Sequence, residues 1–529
     1  MKRQLIPASF QPRNSPMDSD QYSCQLETWQ RLSPLSVIFF VGRIISHIIK
    51  DALPGLAPIA VLIINSDNKL WMMFAIGGAL LAAVLIGSFL QYWFFKFKRN
   101  DDKILINEGV FKKNHRVIQF DRIQNINLLQ PIYFKPFELV TLQIETAGAK
   151  GQEANLAGIS ETFANYIREE ILLKKENYSS LDCDDKSVIN EAKLIAEASL
   201  LDLVKYGVSS NGIFWFFVVL APLIGLADDV LPKIISKNDF QQLVELLGGE
   251  LWGTVFMIAI ILVSVFVLMF GFSILGAILR YFNYSLVLSK QSLGQGTEEW
   301  SLKRSSGLLT RYEESLKIQK VQTVITQTNV FGTWLEIVNL TLGQVSGSQN
   351  NAKNKKSLFV IPVRNHHQTN KITQVIFTDR PDRIETKGIN RRYIAKTLIF
   401  KLFLPSLIIC SVIYLNRGNF LILAIPFAFS LIMLPLVVKR WKKYRYGMKD
   451  GYGRFERGLF GFRHILFPLY KVQRAEVCQS PFQRRRNLAT LKIYLASNKI
   501  QMQYIPIDEA NKWMDIIGEN IEFNEKAWF

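Results

Sequence analysis

Catalysis and metal binding draw on histidine, cysteine and paired carboxylates, and this sequence spaces those residues poorly for either. Its five histidines are His47, His115, His366, His367 and His464. His366 and His367 are neighbours; read as strand, they point to opposite faces and make poor joint ligands. His115 and His464 share one position of an internal repeat, where a common ligand role competes with the more ordinary strand-surface histidine. Cys24, Cys183, Cys410 and Cys478 are scattered without a CxxC spacing. A disulfide framework or zinc site is therefore not expected, and the soluble parts read as facing a reducing compartment. HExxH, GxxxxGK[ST] and GxSxG are absent, so the common metal and nucleophile signatures are missing. The GxG turns at Gly294–Gly296 and Gly451–Gly453 lack the following helix that would make them phosphate sites. The expectation is a chain without catalytic residues, metal or cofactor.

The polar residues that remain are better suited to contact than to chemistry. Gln124, Gln322 and Gln473 stand at matched positions of the repeat. Either each amide faces a ligand or neighbouring module, or it bonds backbone groups where two strands splay, since a buried amide must be satisfied. The second reading is favoured. Lys112, Lys113 and Arg116 form one basic cluster, and Arg484, Arg485 and Arg486 another. Beside an anionic leaflet each such residue adds about 1 kcal/mol of attraction; the competing reading is a solvated charged loop. These nine residues are the candidate ligand or partner contacts. No aromatic stacking platform is interleaved with the cations, so nucleic acid is not expected as a partner.

Such contacts must be carried by a scaffold that is part membrane and part aqueous. Hydrophobic residues make up 49% of the 529, yet 20% are charged, and Lys plus Arg exceed Asp plus Glu by 63 to 44. A net charge of +19 suits the anionic face of a bilayer. A helical span needs roughly 20 apolar residues. Leu70–Phe95, Gly212–Leu226 with its flanks, Leu251–Leu279, Leu398–Leu415 and Phe420–Val438 qualify. Leu35–Ile64 is interrupted by Arg43, His47, Lys50 and Asp51 and followed by Pro54 and Pro58. It reads as an interfacial amphipathic helix, Leu35–Lys50, leading into a span. Leu200–Tyr206 with Lys205, and Tyr393–Phe403 with Lys396 and Lys401, repeat that entry.

Cations cluster where spans leave the membrane, at Lys96, Lys98, Arg99 and Lys103 and again at Lys439, Arg440, Lys442, Lys443 and Arg445. The turn Asp228–Glu250 is acidic instead. The positive-inside tendency then puts the long soluble stretches and both termini in the cytoplasm. The polar first thirty residues read as no cleavable signal peptide. The expected location is the bacterial cytoplasmic (inner) membrane, in a multi-pass arrangement.

The organising signal is a threefold repeat aligned without gaps from Gly109, Gly307 and Gly458. Fifteen residues on stands the Gln, nine further an aromatic (Tyr133, Phe331, Phe482), and then Leu142, Leu340 or Leu491, followed two residues later by Ile144, Leu342 or Ile493. VTLQIETA and ATLKIYLA alternate with the period of a half-buried strand, and each Gly suits a turn or bulge. The second copy has a longer loop at Lys290–Ser306 and a polar insertion at Ser346–Lys356. Closing helices bury Phe163, Tyr166, Ile167 and Ile171 behind a Ser160 cap, Ile372, Val375 and Ile376, and Trp513, Ile516 and Ile517 behind an Asp508 cap.

The expected fold is a multi-domain membrane protein: three repeats of a transmembrane helix pair plus a small β-rich module with a C-terminal helix. Its boundaries are a polar tail (1–34), an interfacial helix and first pair (35–95), the first module (96–176) and a linker (177–199). The second pair (200–279), second module (280–384), third pair (391–438) and third module (439–525) follow.

The order of spans and modules, the G-[VL]-[FL] start, the [IV]-Q at Ile123–Gln124, Val321–Gln322 and Val472–Gln473, and the L-x-[IL] strand resemble bacterial pleckstrin-homology (PH) membrane proteins of the YdbS/YdbT-like group. The resemblance runs from about Leu35 onward. It implies curved antiparallel strands with a C-terminal helix, no established enzymatic activity, and a link to the cell envelope. The expected function is a non-enzymatic, membrane-anchored binding or scaffolding protein. Its partners would be the lipid bilayer, anionic lipid headgroups, or another membrane protein of the same family. The alternative is a transporter or export partner with a path between the helix pairs. Mid-span charges are scarce, which counts against it; Pro222, Pro405, Pro426 and Pro435 are the helix breaks it would use.

Overall fold

The structure is a computed structural model. It describes residues 28–48, 68–100, 102–110, 112–146, 152–177, 191–209, 250–293, 297–344, 358–363, 365–417 and 424–523. The expected span Gly212–Leu226, most of the acidic turn from Asp228, residues 178–190 of the expected linker, the insertion Ser346–Lys356, and Lys50, Asp51, Pro54 and Pro58 lie outside these residues.

Along the chain, α1 (Ser36–His47) and α2 (Lys69–Phe94) precede strands β1 (Lys96–Asn100), β2 (Lys103–Glu108), β3 (Asn114–Gln119), β4 (Ile123–Pro131), β5 (Leu139–Thr146) and β6 (Gln152–Ser160), then α3 (Glu161–Asn177). Next come β7 (Glu191–Glu197), α4 (Leu200–Ser209), α5 (Glu250–Tyr281), β8 (Ser285–Leu293), β9 (Thr297–Ser306), β10 (Thr310–Lys317), β11 (Val321–Thr328), the short α6 (Val330–Trp334), β12 (Val338–Gln344), β13 (Leu358–Val363) and α7 (His366–Ile376). The last stretch holds β14 (Lys387–Gly388), α8 (Arg392–Lys396), a π-helical segment Thr397–Phe403, α9 (Leu404–Arg417) and α10 (Ile425–Lys442). It ends with β15 (Arg445–Lys449), β16 (Tyr452–Arg457), β17 (Phe462–Pro468), β18 (Val472–Cys478), the single-turn α11 (Pro481–Arg484), β19 (Leu488–Leu495), β20 (Lys499–Pro506) and α12 (Ile507–Glu522).

Among the described residues, three helices are long and apolar enough to cross a membrane: Phe74–Phe94, Val263–Tyr281 and Arg392–Leu415. Trp71, Phe74, Val263, Phe272, Ile408 and Val412 stand exposed on them or beside them. A surface so apolar requires lipid rather than water. The 12 residues of α1 span only about 18 Å at 1.5 Å per residue, too short to cross.

The chain divides into two compact units, Met1–Leu194 with Ser285–Leu316, and Ile195–Tyr284 with Lys317–Phe529. In the first, β1-β2-β3 form a three-stranded antiparallel sheet, and a seven-stranded sheet runs β6-β5-β4-β10-β9-β8-β7. The alternation of β5 places Val140, Leu142 and Ile144 inside, where they meet Ile104, Ile118, Phe120 and the α3 residues Phe163, Ile167 and Ile171. The backbone NH of Phe163 donates to Ser160 Oγ, 3.3 Å away, which caps the start of α3.

The second unit holds a seven-stranded sheet, β13-β12-β11-β17-β16-β15-β14, and a three-stranded one, β18-β19-β20. Its core joins Phe455, Phe467, Leu491, Ile493 and Met502 to Trp513 and Ile517 of α12. Helices α4 and α5 approach closely: Ser273 Oγ donates to Gly207 O at 2.6 Å. A Cβ at Gly207 would lie 2.5 Å from Ile274 Cα, so only glycine permits this crossing.

Several expectations are corrected. Within Lys290–Ser306, expected as a loop, the described residues belong to β8 and β9, paired from Ser285↔Ser305 to Leu293↔Thr297. His366 and His367 open helix α7 rather than lie in a strand, because Asn365 and the Ile372/Ile376 spacing favour a helix there. Asp508 does not cap α12; Pro506 holds the N-cap position and Asp508 lies in the first turn, where it complements the helix dipole. Val375 is exposed, whereas Ile372 and Ile376 are buried, since the helix turns that position outward. Residues 280–384 contribute to both compact units, with β10 paired to β4 in one and β11 to β17 in the other, and the expected module boundaries are left as they were.

Candidate functional site

Each of the three aligned glutamines is the extra residue of a β-bulge. The β4–β5 register shifts between Ile123 and Asn125, β11–β12 between Val321 and Thr323, and β18–β19 between Val472 and Arg474. A bulge bends its strand and sharpens its twist, which is how a short strand leaves one sheet and enters another. The side chains themselves differ. Gln322 is 2% exposed, whereas Gln473 is exposed. What the glutamines share is therefore a backbone position rather than one side-chain environment.

The bulged strand leads in each case to a tight turn that ends on a residue in the left-handed region: Glu138 (φ 51°), Glu336 (φ 56°) and Asn487 (φ 51°). All three lie 29 residues after their repeat glycine. The turn is built locally. The Asn329 side chain accepts from Gly332 N at 2.8 Å, and Ser480 and Gln483 cap each other reciprocally.

These turns carry apolar side chains outward: Ile132 and Phe137 in the first, Val330 and Trp334 (82% exposed) in the second, Phe482 (65% exposed) in the third. Two of them touch a membrane-class helix. Phe331 meets Phe270 of α5 edge-on with centroids 5.2 Å apart, and Phe482 lies 5.9 Å from Phe400 in the π-helical segment. The aromatics of these two turns thus pack against helices that are long and apolar enough to cross a membrane.

Arg484, Arg485 and Arg486 follow Phe482 after the buried Gln483 and are all exposed on this turn. Lys112 and Lys113 are exposed before β3. They are shaped by Gly109 (φ 109°), where a Cβ would strike the Lys112 carbonyl oxygen. Arg116 pairs with Glu108 at 2.5 Å. His115 Nδ1 lies 2.6 Å from Asn107 Oδ1, while His464 stacks on Phe462 with centroids 4.6 Å apart. The two histidines therefore build no common ligand set. No group of three or more His, Cys, Asp or Glu fit to hold a metal occurs among the described residues.

Sequence reasoning missed the strand joints. β4 pairs with β10 and β11 with β17, both antiparallel, in each case a strand after a bulged glutamine with the strand after the next repeat glycine. A second feature also went unread. Each apolar stretch leaves and rejoins the sheets at adjacent residues: Gln30 pairs with Phe97 through bonds of 2.8 and 3.0 Å, Ala198 N donates to Tyr284 O at 3.2 Å, and Gly388 pairs with Arg445.

A family model for the bacterial PH domain matches residues 46–175 and 399–521. The UPF0699 transmembrane protein YdbT of Bacillus subtilis (strain 168) is 25% identical over 495 residues, 89% of this chain and 93% of the relative. The UPF0699 transmembrane protein YdbS of the same organism is 27% identical over 89 residues, 17% of this chain and 55% of that relative. No solved structure matches. With apolar helices entering paired antiparallel sheets, and with bacterial PH-domain matches in two stretches of the chain, the protein resembles the YdbS/YdbT-like group of bacterial PH membrane proteins.

Proposed function

We propose that the protein is a non-enzymatic scaffold of the bacterial cytoplasmic membrane whose PH-like modules, three in number, dock on anionic lipid headgroups in the service of envelope homeostasis. The carrying observation is the Phe482–Arg486 turn, an exposed aromatic against a membrane-class helix followed by three exposed arginines. An aromatic anchor in the headgroup layer beside several cations is the arrangement that holds a peripheral surface to an anionic leaflet. The count of three modules is supported by the left-handed residue, the bulge and the ensuing turn, which recur at one spacing in all three stretches. Six spans are supported by the adjacent entry and exit of each apolar stretch, since a chain that returns to its starting point crosses an even number of times. A cytoplasmic position of the soluble stretches and both termini is supported by the cation-rich exits of the spans.

The test uses the full chain in nanodiscs with mixed phosphatidylglycerol and phosphatidylcholine, carrying a photo-crosslinking side chain at position 482. Preferential capture of phosphatidylglycerol is expected, reduced in R484Q/R485Q/R486Q and by added salt. Equal capture of both lipids, unchanged in the triple variant, would sink headgroup docking.

A further inference from the structure

The two strand joints share one register. The residue four after a repeat glycine faces the residue 21 after the preceding one: Arg311 faces Gln130, and Phe462 faces Thr328. Two steps along, Glu313 faces Leu128 and His464 faces Thr326, at offsets of six and 19 in both cases. Such agreement between two sequences that differ at every one of these positions makes the joint a property of the module edge.

Two edges of the same kinds end their sheets. β3, equivalent to β10 and β17, is the outer strand of β1-β2-β3, and β18, equivalent to β4 and β11, is the outer strand of β18-β19-β20. We propose that β18 of one chain pairs with β3 of a second copy in the same register, joining copies head to tail through their PH-like modules. This deepens the scaffolding reading and rests on it: the scaffold's partner is another copy of itself. A head-to-tail joint is heterologous, so it closes into a ring or extends as a filament.

The side chains on these edges fit the joint. Continuing the register puts Asn114 opposite Cys478, Arg116 opposite Glu476 and Val117 opposite Ala475. Arginine against glutamate is a favourable cross-strand pair, and charge on both strands keeps each edge soluble before it is joined. Val117 is 55% exposed; Leu466, its counterpart in β17, packs opposite Val324 within a joint. A second observation concerns the basic residue 13 after the glycine. In the joint of β11 with β17, Lys471 is buried and donates to the carbonyl oxygens of Gln319 and Val321. Arg122 holds the same position in the first stretch and is exposed. In the proposed joint it reaches the carbonyls of Tyr470 and Val472 in the neighbouring copy.

Facing residues of antiparallel strands have Cα atoms roughly 4.5–5.5 Å apart, within reach of a disulfide. The experiment therefore co-expresses two full-length, differently tagged copies, one N114C/C478S and the other with its native Cys478, and oxidises the membranes. Neither copy can form the 114–478 bond within itself. The expected result is a disulfide-linked mixed dimer, at least tenfold more abundant than when the second copy is also C478S, with the linked peptides identified by mass spectrometry. H115C with V477C, the next facing pair, is expected to behave alike in a C478S background, which guards against a defect of any one variant. Absence of the mixed species from both pairs overturns the proposal. So does an equal yield with C478S, or capture of a different protein at position 114. Lipid capture at position 482 is unaffected by either result, so the two readings fail separately.

Discussion

Lys471 Nζ donates to the carbonyl oxygen of Val321 across 2.9 Å, and it does so buried at the joint between β11 and β17. Burial pushes its pKa down to about 8. Because the folded value lies below the unfolded one, the unfolded chain binds more protons between about pH 8 and the ordinary lysine range near 10.5. Stability is therefore lowered by the buried charge below pH 8 and rises as the pH climbs through that window. K471M, which cannot titrate, is expected to lose this part of the rise. Denaturant midpoints of both proteins in detergent at pH 7.5 and 10 check it, and equal slopes would contradict the assignment.

Gln322 and Gln473 share a bulge but not an environment, so their substitutions should separate. Gln322→Leu places an apolar side chain where a buried amide lies and is expected to cost about 1–3 kcal/mol, the scale of losing a buried polar group's partners. Gln473→Leu, at an exposed position, is expected to change stability by less than about 0.5 kcal/mol. Thermal unfolding of the two purified variants decides; equal losses would mean that the amide serves the bulge wherever it occurs.

Glu336 holds φ 56° at the end of its turn, a conformation that costs a non-glycine residue about 1–2 kcal/mol. The stability order Gly above Glu above Val is expected at position 336, with the valine variant about 2 kcal/mol below the glycine one. At position 487 the change from Asn to Gly is expected to be smaller, because asparagine tolerates this region. Denaturant titrations of the three variants and the wild type check the ranking.

Gly207 and Gly271 lie on helices of the same pair but face different surroundings. A Cβ at Gly207 meets the Ile274 backbone, whereas one at Gly271 meets nothing within 4 Å. G207V is expected to lose about 1–3 kcal/mol through overpacking and to lower the yield of folded protein, with G271V near the wild type. Fluorescence-detected size exclusion after mild heating compares them, and a tolerated G207V would show that α4 and α5 can separate without loss.

Much of the fold was legible because it rests on short-range periods. Leu142 and Ile144 alternate with polar neighbours and are buried together; Ser160 precedes a helical apolar stripe and accepts the Phe163 amide. The lengths and hydropathy of Leu70–Phe95 and Leu251–Leu279 announced helices that the structure contains. The pairing of β8 with β9 escaped notice because Lys290, Glu298 and Glu299 give the stretch the polar composition of a loop. The basic turn at Arg484–Arg486 was visible as a charge cluster, but its place beside Phe400 was not.

By itself, then, the sequence determined the apolar helices, the repeat spacing from Gly109, Gly307 and Gly458, and the glutamines that mark the bulges, all of which act over a few residues. Tertiary structure alone decided which strand edges meet, that Lys471 is buried while Arg122 is exposed, and that Gln322 lies inside while Gln473 faces water. The reason is physical. A strand's hydrogen-bonding edge is uniform along its backbone, so its partner is selected by what the rest of the fold brings alongside, and side chains disclose that choice only once both edges are in place.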